Sequence, residues 1–218
     1  MEEKLKKLDS LAEEHGNVSK LVFGRCGGSL FPVDVLVLAV VNRSLQLRKS
    51  FHLLIENGCY TTAVALLRLQ LDNVLRLYGV LQTSDPHATA HKVIGGKSLR
   101  SMKDKDGKPL HDAHLVDLLA PKIPWLRHVY NLCCSYIHLS DQHFYHLLAQ
   151  SAVIDVDGTR NVTVGDGDDH VVIEHKRQAI QAFIAITEGL LSLANSWVKT
   201  GAAFGSCTEL RQRFPVVR

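Results

Sequence analysis

The chain lacks a hydrophobic run long enough to cross a membrane. Its strongest apolar run, Val35 to Val41, is stopped by Asn42 and Arg43, whereas a spanning helix needs about 20 apolar residues. The first seven residues are mostly charged and lack the apolar centre of a signal peptide. We therefore expect a cytoplasmic protein that has no membrane-spanning role.

The cysteines do not form the spaced pattern of a disulfide framework. There are 5 of them, an odd number, and Cys133 and Cys134 are adjacent. This pattern is more typical of a protein from a reducing compartment than of a secreted one. Repeats and low-complexity segments are absent as well, which excludes solenoid and linker-rich architectures.

Three common ligand-binding motifs are missing. The glycine-rich stretch 24–29 has neither the lysine nor the spacing of a P-loop, so we interpret residues 18–30 as a flexible connection. The acidic turn 165–169 does not have the glycine placement of an EF-hand. The histidine pairs 87/91, 111/114 and 143/146 lack a His-Glu-x-x-His pattern or a nearby carboxylate set. We therefore predict neither a metal site nor a cofactor.

The composition is that of a globular protein with a sizeable core. The chain has 218 residues, of which 46% are hydrophobic and 22% charged, and a formal net charge of +3. This length suits one domain, which we place at residues 1–218. Twelve histidines would add positive charge below about pH 6.5.

Helical periodicity dominates the first half of the chain. Residues 2–15 read as a short charged helix that ends at Gly16, and residues 34–57 and 60–82 read as two long helices. Because only Gly58 and Cys59 separate the two long helices, we expect them to form an antiparallel hairpin over residues 34–82.

The second half mixes helical and β-like patterns. Residues 124–149 contain a helix, 125–139, followed by a polar break and a further short helix. Residues 152–174 alternate β-like runs with Asp-Gly turns and predict a small inserted β-hairpin or three-stranded flap. A final long helix follows at 175–200, and the tail 201–218 reads as loosely ordered or partner-bound. The predicted fold class is mainly all-α, an antiparallel helical bundle with this small β insertion.

Charged side chains share one face of the second long helix. Arg68, Asp72 and Arg76 are four residues apart, so they lie one above the other. They are either a solvated charge ladder or an arginine that Asp72 holds towards an anion. The basic segment 97–108 has the same two interpretations, solvation or contact with a partner.

The helix at 125–139 carries the most distinctive polar stripe. Arg127, Asn131, Cys134 and His138 share one side of it. Arg127 precedes His138 by eleven residues, about 16 Å along the axis. An arginine that works with His138 must therefore come from another helix or another subunit, and Arg68 is our candidate. Alternatively, His138 is a helix C-terminal histidine that interacts with the last carbonyls and the dipole.

The paired helices, the Arg68–Asp72 stretch and the segment Tyr130 to Ser140 together resemble the HEPN superfamily over residues 34–200. The resemblance implies a helical dimer with a composite cleft and, in active members, metal-independent ribonuclease action in toxin or antiviral defence systems. The catalytic arginine–histidine motif of the family is not matched: Arg127 lies too far from His138, and position 131, which has the required spacing, is an asparagine.

These observations lead to two hypotheses about function. The first is a HEPN-like ribonuclease in which His138 is the acid or base and Arg68 stabilises the phosphorane charge. Its positioning residues would be Tyr130, Asn131, Asp72, Arg76 and Arg127. The second is a non-catalytic module of the same fold that dimerises and binds RNA, a nucleotide or a partner protein.

Overall fold

The computed structural model describes residues 1–151 and 162–215. Within these residues the fold is all-α. The nine helices are α1 (Glu2–Gly24), α2 (Pro32–Glu56), α3 (Tyr60–Leu81), α4 (Pro86–Ile94), α5 (Asp112–Leu119), α6 (Leu126–Ile137), α7 (Asp141–Gln150), α8 (Ile173–Thr200) and α9 (Cys207–Arg213).

Helix α1 is longer than the sequence pattern predicted. The expected end at Gly16 is wrong, because α1 continues to Gly24. Its apolar stripe also continues, with Val18 and Val22 buried in the same core as Leu11. A side chain at position 16 would meet no neighbouring atom, so Gly16 lies on an open face where the helix tolerates it. The flexible connection expected at 18–30 is therefore reduced to the residues after Gly24.

The predictions for the two long helices agree with the structure. Pro32 begins α2, and the side chain of Asp34 accepts a hydrogen bond from the backbone N–H of Phe31. Gly58, with a φ of +67°, makes the turn into α3, a conformation that only glycine adopts without strain. Helix α3 then packs against α2 on one side and against α6 and α8 on others.

The region predicted as a β insertion contains no strand in its described part. Residues 152–161 lie outside the described residues, and residues 162–172 form no ladder. The strand expected to end at Ile173 is wrong, because Ile173 begins α8. Asp168 accounts for this start: its carboxylate accepts hydrogen bonds from the Tyr60 backbone N–H and from Lys176 Nζ, each at 2.6 Å, which holds the segment against α3.

The C-terminal segment is packed rather than loose over its described residues, 201–215. Helix α9 begins at Cys207, which forms a disulfide with Cys26, and their Cα atoms are 5.8 Å apart. Leu210 of α9 packs on Phe31 beside this disulfide. The expectation of a chain without disulfides is therefore wrong, while the cytoplasmic location stays a prediction.

Helix α8 is the central core helix. Together with the short turn that follows it, to Phe204, α8 is the one segment of the described residues that is long and apolar enough for a membrane span. However, α8 packs against α1, α2 and α3, with Phe183, Leu190 and Trp197 fully enclosed. A buried core helix passes the same test of length and composition, so this segment is weak support for membrane insertion.

Helix α7 differs from all of these elements. Ser140 caps its start, as the polar break in the sequence predicted. None of its residues is buried, and Phe144, Tyr145 and Leu148 are all exposed. Ile137, the last residue of α6, is also exposed, at 44%. The buried side of α6 consists of Leu126, Cys133 and Tyr136.

Candidate functional site

Two buried or half-buried carboxylates gather four arginines on one side of α3. We call this group the arginine cluster; it consists of Arg43, Arg68, Arg76, Arg100, Asp72 and Asp112. The predicted ladder of Arg68, Asp72 and Arg76 is therefore not simply solvated. It is part of a network that also involves α2, α5 and the segment before α5.

Asp112 is the centre of the cluster. Its carboxylate, 5% exposed, lies 2.5 Å from Arg68 Nη2, 2.9 Å from Arg76 Nη2 and 3.1 Å from Arg100 Nη2. Burial by itself would raise the pKa of Asp112, but the three guanidinium groups outweigh it and hold that pKa below its usual range. Asp112 is therefore a carboxylate that the arginines keep ionised.

Asp72 holds the other half of the cluster. Its Oδ2 accepts a hydrogen bond from Arg43 Nη1 at 3.1 Å, and its Oδ1 accepts one from Arg76 Nε at 3.0 Å. Arg68 Nη1 lies 4.0 Å from the same Oδ1. Four guanidinium groups against two carboxylates leave a surplus of two positive charges, which favours an anionic ligand at this surface.

Arg43 also connects the cluster to a buried polar chain. Its Nη1 donates to Asn73 Oδ1 at 2.9 Å. From Asn73, hydrogen bonds continue through the core to side chains of α1, α2, α3 and α8: Gln70, Ser44, Thr187 and His15. Because these buried groups satisfy one another, they fix the position from which Arg43 reaches the surface.

Arg68 contacts helix α6. Its guanidinium lies 4.8 Å from the centroid of the Tyr130 ring, a cation–π distance. The Cys134 thiol lies beside it. Burial works to lower the pKa of Arg68, but contacts with Cys134 and Asp112 outweigh it and raise that pKa. The structure thus brings Arg68 and Tyr130 into contact. Asp72 lies next to Arg68 and pairs with Arg76.

His138 lies at the C-terminal end of α6, beyond the cluster. Its backbone N–H donates to the Cys134 carbonyl at 3.4 Å, and its side chain is exposed. One helical turn, about 5.4 Å along the axis, separates it from Cys134. Among the described residues, no hydrogen bond joins His138 to Arg68. The structure therefore does not connect the His138 imidazole to the arginine cluster.

The remaining predicted residues lie on the exposed side of α6. Asn131 is exposed, and Arg127 forms an ion pair with Asp117 of α5. Arg127 therefore has a partner outside the cluster. In the sequence, Arg100 belongs to the basic segment 97–108, and neither Arg43 nor Asp112 stands in a pattern that marks it as a site residue. Asp112 is 44 residues from Arg68 in sequence, so no local spacing could have revealed their contact.

The histidine pairs have structural partners of other kinds. His87 is fully buried, the His111 side chain accepts from the His114 backbone N–H, and His143 accepts from the Ser140 backbone N–H. Within residues 1–151 and 162–215, no group of three or more His, Cys, Asp or Glu side chains is arranged to hold a metal ion.

Comparison with other proteins identifies no relative: no protein-family model, no curated protein and no solved structure matches the chain. Function is therefore inferred from the geometry and chemistry of the chain itself.

Proposed function

We propose that this protein is a HEPN-like helical module that binds RNA or nucleotide phosphates at the arginine cluster. The observation that carries the proposal is the surplus of guanidinium groups around Asp72 and Asp112. The proposal includes the antiparallel bundle architecture, a homodimer, a cytoplasmic location and a role in a toxin or antiviral system. A protein partner, held by the dimer, is compatible with it.

The outer arginines give the cluster its access to a ligand. Arg100 and Arg43 have side chains that are 62% and 41% exposed, whereas Arg68 is 13% exposed. Guanidinium groups bind phosphate oxygens through paired N–H donors. Asp72 and Asp112 also pair with the outer arginines, Arg43 and Arg100. These two side chains therefore lose less conformational entropy when they contact a ligand. Tyr130 adds an aromatic face beside Arg68.

Binding is better supported than cleavage because Arg68 is already engaged. Its Nη2 lies 2.5 Å from Asp112 Oδ2, so stabilising a phosphorane would require that ion pair to open. A metal-independent ribonuclease is the second candidate, and the exposed His138 beside Cys134 favours it. In that reaction His138 would transfer a proton at the ribose 2′-hydroxyl or at the leaving oxygen, and Arg68 would stabilise the negative charge.

Binding is tested with a fluorescent single-stranded RNA at several salt concentrations. We expect Arg100→Gln and Arg43→Gln each to lower the affinity several-fold and to reduce the salt slope by about one, since each removes one phosphate contact. Arg177→Gln is the matched control, because Arg177 is an equally exposed arginine on α8. If the RNA does not bind at low salt, or the three variants behave alike, the binding proposal fails.

Cleavage is tested separately with the same RNA in EDTA. The ribonuclease candidate requires RNA turnover by the wild-type protein, loss of turnover in His138→Ala and unchanged RNA affinity in that variant. Turnover that survives His138→Ala would remove this histidine from the mechanism. Binding without turnover would leave the non-catalytic module.

A further inference from the structure

A cavity lies on the side of α6 that faces away from the arginine cluster. We call it the histidine cavity; it has a volume of about 350 Å³ and lies between α6, α7 and the start of α8. Six aromatic or imidazole rings line it: Tyr60, Tyr136, Tyr145, His146, His170 and His175. Its volume is at the small end of the range for ligand sites, about 300 to 1,000 Å³. The cavity therefore suits one small ring compound rather than an oligonucleotide.

The histidine cavity and the arginine cluster are separate sites. Tyr130 and Cys134 of α6 contact Arg68, whereas Leu132 and Tyr136 line the cavity. Each of the second pair follows a member of the first by two residues, which is about 200° around a helix. A ligand in the cavity consequently does not depend on the proposed RNA-binding surface.

A chain of hydrogen bonds forms the polar wall of the cavity. The Tyr136 hydroxyl lies 3.0 Å from His146 Nε2, and His146 Nδ1 lies 2.8 Å from His170 Nε2. Since a neutral imidazole has one donor and one acceptor nitrogen, this chain can run in either direction. Reversing the direction of the chain converts Nδ1 of His170, the ring nitrogen outside the chain, from a donor into an acceptor.

The cavity carries no fixed charge. None of its lining residues is Asp, Glu, Lys or Arg. Burial, and then the neighbouring imidazoles His170 and His143, lower the pKa of His146, so this ring is neutral at neutral pH. The Asp168 carboxylate, which acts on His146 electrostatically, is already bound to Lys176 and to the Tyr60 backbone. A phosphate or an ammonium group would therefore find no fixed counter-charge among the lining residues, whereas a neutral ligand does not need one.

Apolar side chains complete the walls. Leu132, Ala149, Val171 and Val172 line the remaining surface, and the rings of His146 and His170 meet edge-on with their centroids 5.1 Å apart. Flat aromatic ligands pack well against such rings, because stacked and edge-on contacts are both favourable. The wall thus offers apolar faces to a planar ring and a polar edge to its heteroatoms.

We propose that the histidine cavity binds a small, neutral, planar nitrogen heterocycle of nucleobase size, whose donor and acceptor nitrogens are recognised by the two ends of the hydrogen-bond chain, His170 and the Tyr136 hydroxyl. The reversible chain matches such a ring, since in either direction one end of the chain is a donor and the other is an acceptor. A ligand that has only a donor or only an acceptor pairs with one end of the chain and therefore forms fewer hydrogen bonds.

The test uses two rings of the same shape, benzimidazole and indole, with adenine as a third probe. Binding to the full-length protein is measured by calorimetry and ligand-observed NMR at neutral pH in EDTA. We expect benzimidazole and adenine to bind, and benzimidazole to bind about tenfold more tightly than indole, which lacks the acceptor nitrogen.

Two variants and one matched control locate the site. Ala149→Trp fills the cavity without touching the hydrogen-bond chain, and His170→Phe keeps a ring while removing the polar edge; both should weaken benzimidazole binding at least tenfold. His128→Phe, an exposed histidine of α6, should leave binding unchanged. Melting curves check that each variant folds. If His170→Phe does not fold, Ala149→Trp still tests the proposal.

Three outcomes overturn the proposal. The first is that none of the three probes binds saturably to the folded wild-type protein. The second is that benzimidazole binds equally well to wild type, Ala149→Trp and His170→Phe. The third is that Zn²⁺ alone, added without EDTA, binds stoichiometrically and is lost in His170→Phe, which would make the cavity a metal site.

Discussion

The two ends of the helical core are built in opposite ways. At one end, α1 finishes, α2 begins and α9 packs against the segment between them; a buried ion pair and a disulfide close this end. Asp34 there accepts hydrogen bonds from Arg25, Trp197 and the Phe31 backbone. At the other end, α6 finishes and α7 begins, no residue of α7 is buried, and a cavity opens beside it.

The difference separates stability from binding. The Asp34 end satisfies its polar groups internally: the side chains of Arg25 and Asp34 are only 9% and 1% exposed. The α7 end leaves imidazoles, hydroxyls and apolar side chains accessible to ligands or partners. We therefore expect substitutions at the Asp34 end to change folding, and substitutions at the α7 end to change binding with little effect on folding.

The largest effect is expected for Asp34→Ala. This variant leaves the Arg25 guanidinium buried without its partner, which typically costs about 3 to 5 kcal/mol. The free energy of unfolding in urea measures it. Asp141→Ala, an exposed aspartate at the start of α7, is the control and should cost less than about 1 kcal/mol. Similar losses in the two variants would contradict the comparison.

The second largest loss of stability is expected when the Cys26–Cys207 disulfide is removed. It joins residues 181 positions apart, and removal of a native disulfide typically costs about 2 to 5 kcal/mol. We expect dithiothreitol to lower the free energy of unfolding of the wild-type protein. The double variant Cys26→Ser/Cys207→Ser should be equally destabilised and insensitive to the reductant. An equally large response to dithiothreitol in the double variant would show that the effect lies elsewhere.

A third effect concerns pH. His87 is fully buried between Phe31, Trp197 and Phe214, and burial lowers its pKa to about 4. The unfolded state, with a pKa of about 6.5, takes up the proton first. The contribution of neutral His87 to the free energy of unfolding is therefore fully present above pH 6.5. It is lost as the pH falls towards 4, and the loss is about 3 kcal/mol.

His87→Phe tests this pH dependence. The variant also removes a contact with the Val33 backbone N–H, at 3.4 Å, so its stability at pH 7 is the reference for each curve. Between pH 7 and pH 4 its free energy of unfolding should fall less steeply than that of the wild type. Parallel curves would assign the acid sensitivity to other groups, such as His15 or His146, whose pKa values are also lowered by burial.

The smallest effect on folding is expected at α7. Phe144 is 57% exposed, and surface substitutions usually change stability by less than about 0.5 kcal/mol. Phe144→Ser should therefore unfold like the wild type. If the predicted homodimer uses this face, sedimentation will show a larger monomer fraction in the variant. A large loss of stability at every protein concentration would mean that Phe144 belongs to the core.

Local patterns were enough to predict the long helices. The bounds of α2 and α3 agree with the sequence because Pro32, Gly58 and the apolar periodicity act within a few residues. The start of α8 was placed too late, and α1 was ended too early. At both positions tertiary packing outweighs the local signal: Asp168 holds the segment before α8, and buried Val18 and Val22 carry α1 past Gly16.

Part of the candidate site was also predictable. The i, i+4 spacing put Arg68, Asp72 and Arg76 on one face, whereas the contact of Arg68 with Tyr130 of α6 comes from the structure. Asp112 could not be assigned to that group, since the fold alone brings α5 to α3. The chain from Tyr136 through His146 to His170 was missed for the same reason, although the sequence had marked His146 as one of a pair.

Local sequence patterns set where helices form and which of their faces are apolar, because hydrogen bonding within a helix and the side-chain period are local properties. Which charges and rings meet depends instead on the packing of distant segments. Arg68 and Asp112, Cys26 and Cys207, and His146 and His170 are 44, 181 and 24 residues apart. Such contacts depend on how whole helices pack, and helix packing is set by the complete core rather than by any short segment.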